Sequence, residues 1–300
     1  MLVFHNISRV FGKVQVLHDV SLSVESGQIH ALIGHNGAGK TTLIKIALGF
    51  LQPLHGTVEF NGLDTWNEKA GAQARSHMGV LFESNGLFHQ LSALENLEII
   101  ARINRIDSSI WLPKCEKLLE AVELSSHKNE IVKNWSAGMK RKLSLIRCFI
   151  HTPQIVILDE PTAGLDPASK RSIRKIIAEE RKQGTSFLIA SQDLHDVDRT
   201  ATHVTLLQQG SVLFSGNMDT FKSNMLFKKF RFSVQQPINV FLEKTKDICD
   251  VIESEEDQLG HTLLVKIRPN HELSDAIINE FSMVEMPISL EEVYANYKPA

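Results

Sequence analysis

Apolar and polar positions change rhythm several times along the chain. From Met1 to Glu25 short apolar runs alternate with turn residues (LVFHNIS, VQVLHDVSLSV), which predicts strands of an antiparallel sheet joined by a tight turn at Phe11-Gly12-Lys13. Gln28 to Gly34 (QIHALIG) then reads as a short buried strand. It runs directly into HNGAGKTTLIKIALGF, a glycine turn followed by a helix-period segment that ends at Gly49.

Between Leu91 and Ile150 the period is helical: LSALENLEIIARIN, WLPKCEKLLEAVEL and MKRKLSLIRCFI each space apolar residues by three and four. The spacing predicts a helical subdomain over about 84–150, inserted into an α/β core. QIVILDEP and SFLIASQ return to buried strands, and ASKRSIRKIIAEERKQG between them is an amphipathic helix closed by Gly184. Strands alternating with helices predict a parallel sheet.

The composition shifts at NMDTFKSNMLFKKF, after HVTLLQQGSVLFSG, which divides the chain into domains at 1–222 and 223–300. FRFSV, NVFLEKTKD, DVIES, TLLVKI, ELSDAIINEF and VEMPI read as β-α-β-β-α-β, the order of a small ferredoxin-like α+β domain, with a last helix at LEEVYANY.

Composition narrows the function classes. A chain of 300 residues, 43% of them apolar, has material for two cores and is not a disordered chain. A net charge of −3 gives no broad basic field, so nucleic acid is not an expected partner. The three cysteines, Cys115, Cys148 and Cys249, lie far apart and form neither a zinc-ligand spacing nor a disulfide framework. The first residues show no basic-then-apolar secretory pattern, and no window holds 18 consecutive apolar residues. At a membrane, another chain would have to supply the spanning helices.

Two motifs carry chemistry. GHNGAGKT, Gly34 to Thr41, fits GxxxxGK followed by Ser or Thr and sits between a strand and a helix, the setting of a phosphate-binding loop. Its Gly34, His35, Asn36, Gly37, Ala38, Gly39 and the following Thr42 lie around the expected phosphate position. The glycines let backbone N–H groups turn toward phosphate, Lys40 reaches the β/γ oxygens, and the Thr41 hydroxyl is a ligand for Mg²⁺. IVILDE ends an apolar strand in two carboxylates: Asp159, placed to hold the metal directly or through water, and Glu160, a candidate to polarise the attacking water. The cofactors expected are ATP and Mg²⁺.

With those motifs, WSAGMKRKL and LDEPTAGLDP, in their order and spacing, resemble the ATP-binding subunit of an ABC transporter, over Met1 to about Asp219. The resemblance implies a P-loop NTPase core in a head-to-tail dimer that sandwiches two ATP molecules, the second subunit being a copy of this chain or a different one. It implies that Ser136 and Gly138 contact the γ-phosphate across the interface, although Trp135, Ala137 and Met139 depart from the common LSGGQ. It also puts Phe11 against adenine and makes Asp166 the link between the two sites. His35 is expected to be structural, as its family position varies.

The resemblance implies two departures near the γ-phosphate. Glu83 stands where the family usually has a glutamine touching Mg²⁺ and water, and Gln192 stands where it has a switch histidine. Glutamine has similar reach and amide donors but cannot titrate, so slower hydrolysis with ATP binding retained is expected. His195, three residues on, shares a helix face with Gln192 but reads as a solvated residue. SNGLFHQLSAL, Ser84 to Leu94, is where the family receives a coupling helix from its membrane subunit; Leu87 and Phe88 there serve that contact or pack in the core.

The C-terminal domain resembles the small appendage of ATPase subunits of drug, lantibiotic or sodium exporters, down to the ending SLEEVYANY. The implied function is the ATP-binding and hydrolysing subunit of an export system, working with a separate transmembrane permease on the cytoplasmic face of the membrane. The other reading is an ATP-binding regulatory switch that barely turns over, because of Gln192. The retained Glu160 counts against it.

Overall fold

The computed structural model describes residues 1–223, 229–234, 238–257, 260–267, 277, 281–286, 288–291 and 294. They divide into two compact units, Met1–Met218 and Asp219–Ala300.

The first unit begins with β1 (Leu2–Phe11) and β2 (Val14–Val24), an antiparallel pair turned at Gly12 and Lys13. β3 (Ile29–Ile33) leads through a glycine-rich segment into α1 (Lys40–Ala47). Next come β4 (His55–Phe60), β5 (Leu63–Asp64), α2 (Glu68–Arg75) and β6 (Met78–Leu81). Three helices then follow: α3 (Ala93–Ile103), α4 (Ser108–Ala121) and α5 (Ala137–Arg147). The chain returns to the sheet with β7 (Ile155–Asp159), α6 (Pro167–Lys182), β8 (Ser186–Ser191) and α7 (Leu194–Asp198), and closes it with β9 (His203–Gln208) and β10 (Ser211–Asn217).

These strands form two sheets. The first has the order β2-β1-β4-β5 and is antiparallel. The second has the order β10-β9-β3-β8-β7-β6, parallel throughout except for the β9–β10 hairpin. Parallel strands bring their carboxyl ends to one edge, and there β3, β6, β7 and β8 deliver Gly34, Glu83, Asp159–Glu160 and Gln192.

Strand alternation divides the interior into two cores. Val156, Leu158, Phe187 and Ile189 face α3, α4, α5 and α6 with Leu97, Trp111, Leu145 and Ile173. Their neighbours Ile155, Ile157, Leu188 and Ala190 face α1 and the antiparallel sheet, with Leu43, Ile44, Phe4 and Val58. Both faces of β7 and β8 are therefore apolar, which is why these segments read as unbroken runs.

The second unit starts within α8 (Met218–Ser223) and contains β11 (Lys229–Val234), α9 (Ile238–Thr245), β12 (Cys249–Asp257), β13 (Gly260–Ile267) and β14 (Ser282–Glu285). Its antiparallel sheet has the order β12-β13-β11-β14, the arrangement a β-α-β-β-α-β chain adopts. Phe232, Phe241 and Phe281 form its core. Of the helix predicted at ELSDAIINEF only Ile277 and Phe281 fall among the described residues, and most of LEEVYANY lies outside them. No described helix is long and apolar enough to cross a membrane.

Candidate active site

The loop after β3 turns on glycines. Gly37 and Gly39 have φ of +82° and +106°, a region that favours glycine. A Cβ on Gly39 would also lie 2.7 Å from Leu17 Cδ2 and 3.1 Å from the Val16 carbonyl. The turn starts α1 with no side chain capping its first N–H groups, so those donors face the space a phosphate would take.

Lys40 is the first residue of α1 and is 7% exposed. Its Nζ donates to the Gly34 carbonyl at 2.7 Å and the His35 carbonyl at 3.3 Å, and lies 3.9 Å from Glu160 Oε1. Burial lowers its pKa, opposed by Glu160 and Asp159. The Thr41 hydroxyl donates to Asp159 Oδ2 at 2.8 Å. Asp159 Oδ1 is buried and has no hydrogen-bond partner among the described residues. Burial raises the Asp159 pKa, with Thr41 and Lys40 acting in the other direction. A buried carboxylate oxygen without a donor, beside a hydroxyl and a second carboxylate, is the oxygen-rich donor set that Mg²⁺ takes.

Glu160 stands one residue past β7 with φ +48°, uncommon for a residue with a side chain. Its N–H donates to the Ala190 carbonyl at 2.9 Å, which ties the end of β7 to β8. The Gln192 N–H reaches its Oε2 at 3.4 Å. Burial raises the Glu160 pKa, opposed by that N–H and by Lys40. The carboxylate is therefore a stronger base than an exposed glutamate.

These groups line one cleft of about 620 Å³. Phe11, Asn36, Gly37, Ala38, Gly39, Lys40, Thr41, Thr42, Glu83, Asp159, Glu160 and Gln192 meet there, joined by Val16 and Ala163, which sequence reasoning passed over. Phe11 is 45% exposed, and the Arg9 guanidinium lies 4.8 Å from its ring centroid, so one edge of the cleft presents a flat aromatic and cationic pair. His35 and His195 are exposed and do not line the cleft; the His35 ring lies against the Asn36 carbonyl, 2.7 Å from Nδ1.

Ser136, Gly138 and Asp166 form a separate group. Ser136 caps α5, its hydroxyl accepting the Met139 N–H at 3.2 Å. Asp166 caps α6, accepting from the Ala168 and Ser169 N–H groups at 2.9 Å each and from the Ser169 hydroxyl at 2.7 Å. A Cβ on Gly138 would come 2.6 Å from Ser169 Oγ, so glycine lets the two helix starts approach closely. None of the three lines the cleft within one chain.

The sequence reading also missed Arg141. It is buried on α5, and its guanidinium bonds the backbone beneath Glu83, Asp159 and Glu160. In the sequence it is the middle of the basic run KRK. The signal that distinguishes it is helical phase, since Arg141 shares a buried face with Ser144, Leu145 and Cys148. Lys170 and Arg174 of α6 were passed over in the same way; they pair with Asp193 and Asp196 just beyond Gln192 and hold the start of α7.

The sequence model of the ABC transporter family matches residues 17–163. The lantibiotic transport ATP-binding protein SrtF of Streptococcus pyogenes is 31% identical over 238 residues, 77% of this chain and 100% of its own. The Nod factor export ATP-binding protein I of Cupriavidus metallidurans is 27% identical, over 98% of this chain and 96% of its own. A solved ATP-binding subunit of an ABC transporter superposes with a TM-score of 0.69 at 27% identity, covering 74% of this chain and 92% of that one. By its sequence and its fold, the chain belongs to the ATP-binding subunits of the ABC transporter family.

Proposed function

We propose that the chain binds ATP with Mg²⁺ in the cleft at the carboxyl edge of the parallel sheet and hydrolyses it. In this role it is the motor subunit of an export system whose permease is a separate chain. The observation that carries the reading is the meeting of Lys40, the Thr41–Asp159 pair with its partnerless carboxylate oxygen, and the buried Glu160 in one cleft behind a glycine loop.

In this account the loop N–H groups and Lys40 hold the phosphates, and Lys40 exchanges its bonds to the Gly34 and His35 carbonyls for phosphate oxygens. Thr41 and Asp159, with Glu83 beside them, would hold Mg²⁺, which draws charge off the β- and γ-phosphate oxygens. Glu160 orients and deprotonates the attacking water, helped by the pKa that burial raises. Gln192 offers an amide donor to the γ-phosphate where a histidine would offer a donor and a titratable site. Phe11 stacks the adenine at the exposed edge.

Ser136, Gly138 and Asp166 lie outside the cleft. A second subunit in head-to-tail orientation would bring its own Ser136 and Gly138 onto the γ-phosphate, so the site is completed by dimerisation. Around Ser84 to Leu94, Leu87 packs against the core while Phe88 is 54% exposed. Phe88 is thus the residue free to meet a permease on the cytoplasmic face of the membrane. SrtF and the Nod factor export protein are named for transport and export, which favours export over a silent switch.

The test is the mass of Glu160→Gln protein by light scattering. MgATP should double it, and adding Ser136→Arg should keep it monomeric while MgATP still binds. A monomer under saturating MgATP would remove the sandwich arrangement.

A further inference from the structure

Arg141 is 5% exposed and makes no ion pair among the described residues. Its Nε donates to the Pro161 carbonyl at 3.0 Å, Nη1 to Phe82 and Glu83 at 2.6 and 3.0 Å, and Nη2 to Asp159 and Glu160 at 2.9 and 2.7 Å. A guanidinium has five N–H donors in a rigid plane, and here all five end on main-chain carbonyls. Those carbonyls belong to two segments only, the ends of β6 and β7 that carry Glu83, Asp159 and Glu160.

A buried cation is costly unless its donors are satisfied, and an apolar side chain would fill the same space without that cost. Burial lowers the Arg141 pKa, and the nearby carboxylates Asp159, Glu83 and Glu160 support the charge. What the guanidinium supplies that an apolar group cannot is alignment of five dipoles. The need is greatest at Glu160, whose left-handed backbone is held by its N–H bond to β8 and its carbonyl bond to Arg141.

We propose that Arg141 is a positioning residue for ATP hydrolysis: its guanidinium fixes the backbone from which Glu83, Asp159 and Glu160 reach the cleft and joins it to the helix that starts at Ser136. The inference rests on the hydrolytic reading above. The loop that grips the phosphates makes no bond to Arg141, so nucleotide affinity is separable from alignment of the carboxylates.

The test compares wild type, Arg141→Lys and Arg141→Gln as full chains by steady-state ATPase assay. Rates are taken per titrated MgATP site, so that any unfolded fraction drops out. Both variants should lose about 10- to 100-fold in kcat, the scale of a misplaced catalytic group, with KM within about twofold. Lys142→Ala, on the same helix with its Nζ on the Val122 carbonyl, should keep the wild-type rate. Wild-type kcat in Arg141→Lys and Arg141→Gln, or a raised KM with kcat intact, would overturn the proposal. So would failure of both to bind MgATP, since Arg141 would then serve the fold rather than alignment. A wild-type chain no faster than Glu160→Gln would instead overturn the hydrolytic reading, and this proposal with it.

Discussion

At the scale of single residues, the site is a set of carbonyls, carboxylates and one lysine. Lys40 spends its charge on two loop carbonyls, while Asp159 keeps one buried oxygen without a donor. Gln192 is the residue with the sharpest kinetic consequence. Its backbone N–H is engaged with Glu160 while its side chain is exposed at the cleft, so exchanging the side chain leaves the backbone contact in place. Gln192→His should raise kcat, by less than the roughly 10²–10³-fold that a complete transition-state donor supplies, because the amide already replaces part of it. An unchanged kcat would mean that position 192 does not meet the γ-phosphate. Lys40, Thr41, Asp159 and Glu160 were legible from the sequence because short motifs join strand ends to the loops that follow. Arg141 was hidden because its partners at Phe82, Glu83 and 159–161 are far from it along the chain.

At the scale of elements, the apolar runs at β3, β7 and β8 and the helical period of α3, α4 and α5 were readable because burial imposes period 2 or 3.6 on the chain. β4, β5 and β6 were not. β6 is four residues long and β5 two, and β4 begins with His55 and Gly56 and gains its partner β1 from the other end of the subdomain. The turn into α1 is one of several close joints. Gly39→Ala would put a Cβ against Leu17 and Val16 at a φ of +106° and should cost about 1–3 kcal/mol, read as a lower urea midpoint.

Within β3, His30 is buried, with Nε2 2.8 Å from the Thr205 hydroxyl and its ring stacked 6.1 Å from His203. Burial, then His203, lowers its pKa from 6.5 to about 4. The unfolded chain therefore takes up the proton first, and stability intact above pH 6.5 is lost as pH falls toward 4, by about 3 kcal/mol from this group. Urea midpoints across that range should decline, and less steeply in His30→Gln; equal slopes would remove His30 as the cause.

At the scale of the molecule, one polypeptide carries a nucleotide-binding unit and a second unit with its own phenylalanine core. The Nod factor export relative aligns over 98% of the chain, so both units have counterparts there. In the second unit the four strands and α9 were legible from alternating apolar positions, and the observed strand order agrees, while most of the second helix of the expected β-α-β-β-α-β order lies outside the described residues. Which of two subunits completes each site was not legible, because Ser136 and Gly138 act, in this account, on a nucleotide held by another chain.

On the proposed reading this chain breaks the β–γ phosphate bond with Glu160 as its base. The step is tested most directly by the steady-state ATPase rate of wild type against Glu160→Gln at saturating MgATP. Glu160→Gln should lower kcat by about 10²–10⁴-fold with MgATP affinity kept. Equal rates in the two proteins would contradict it.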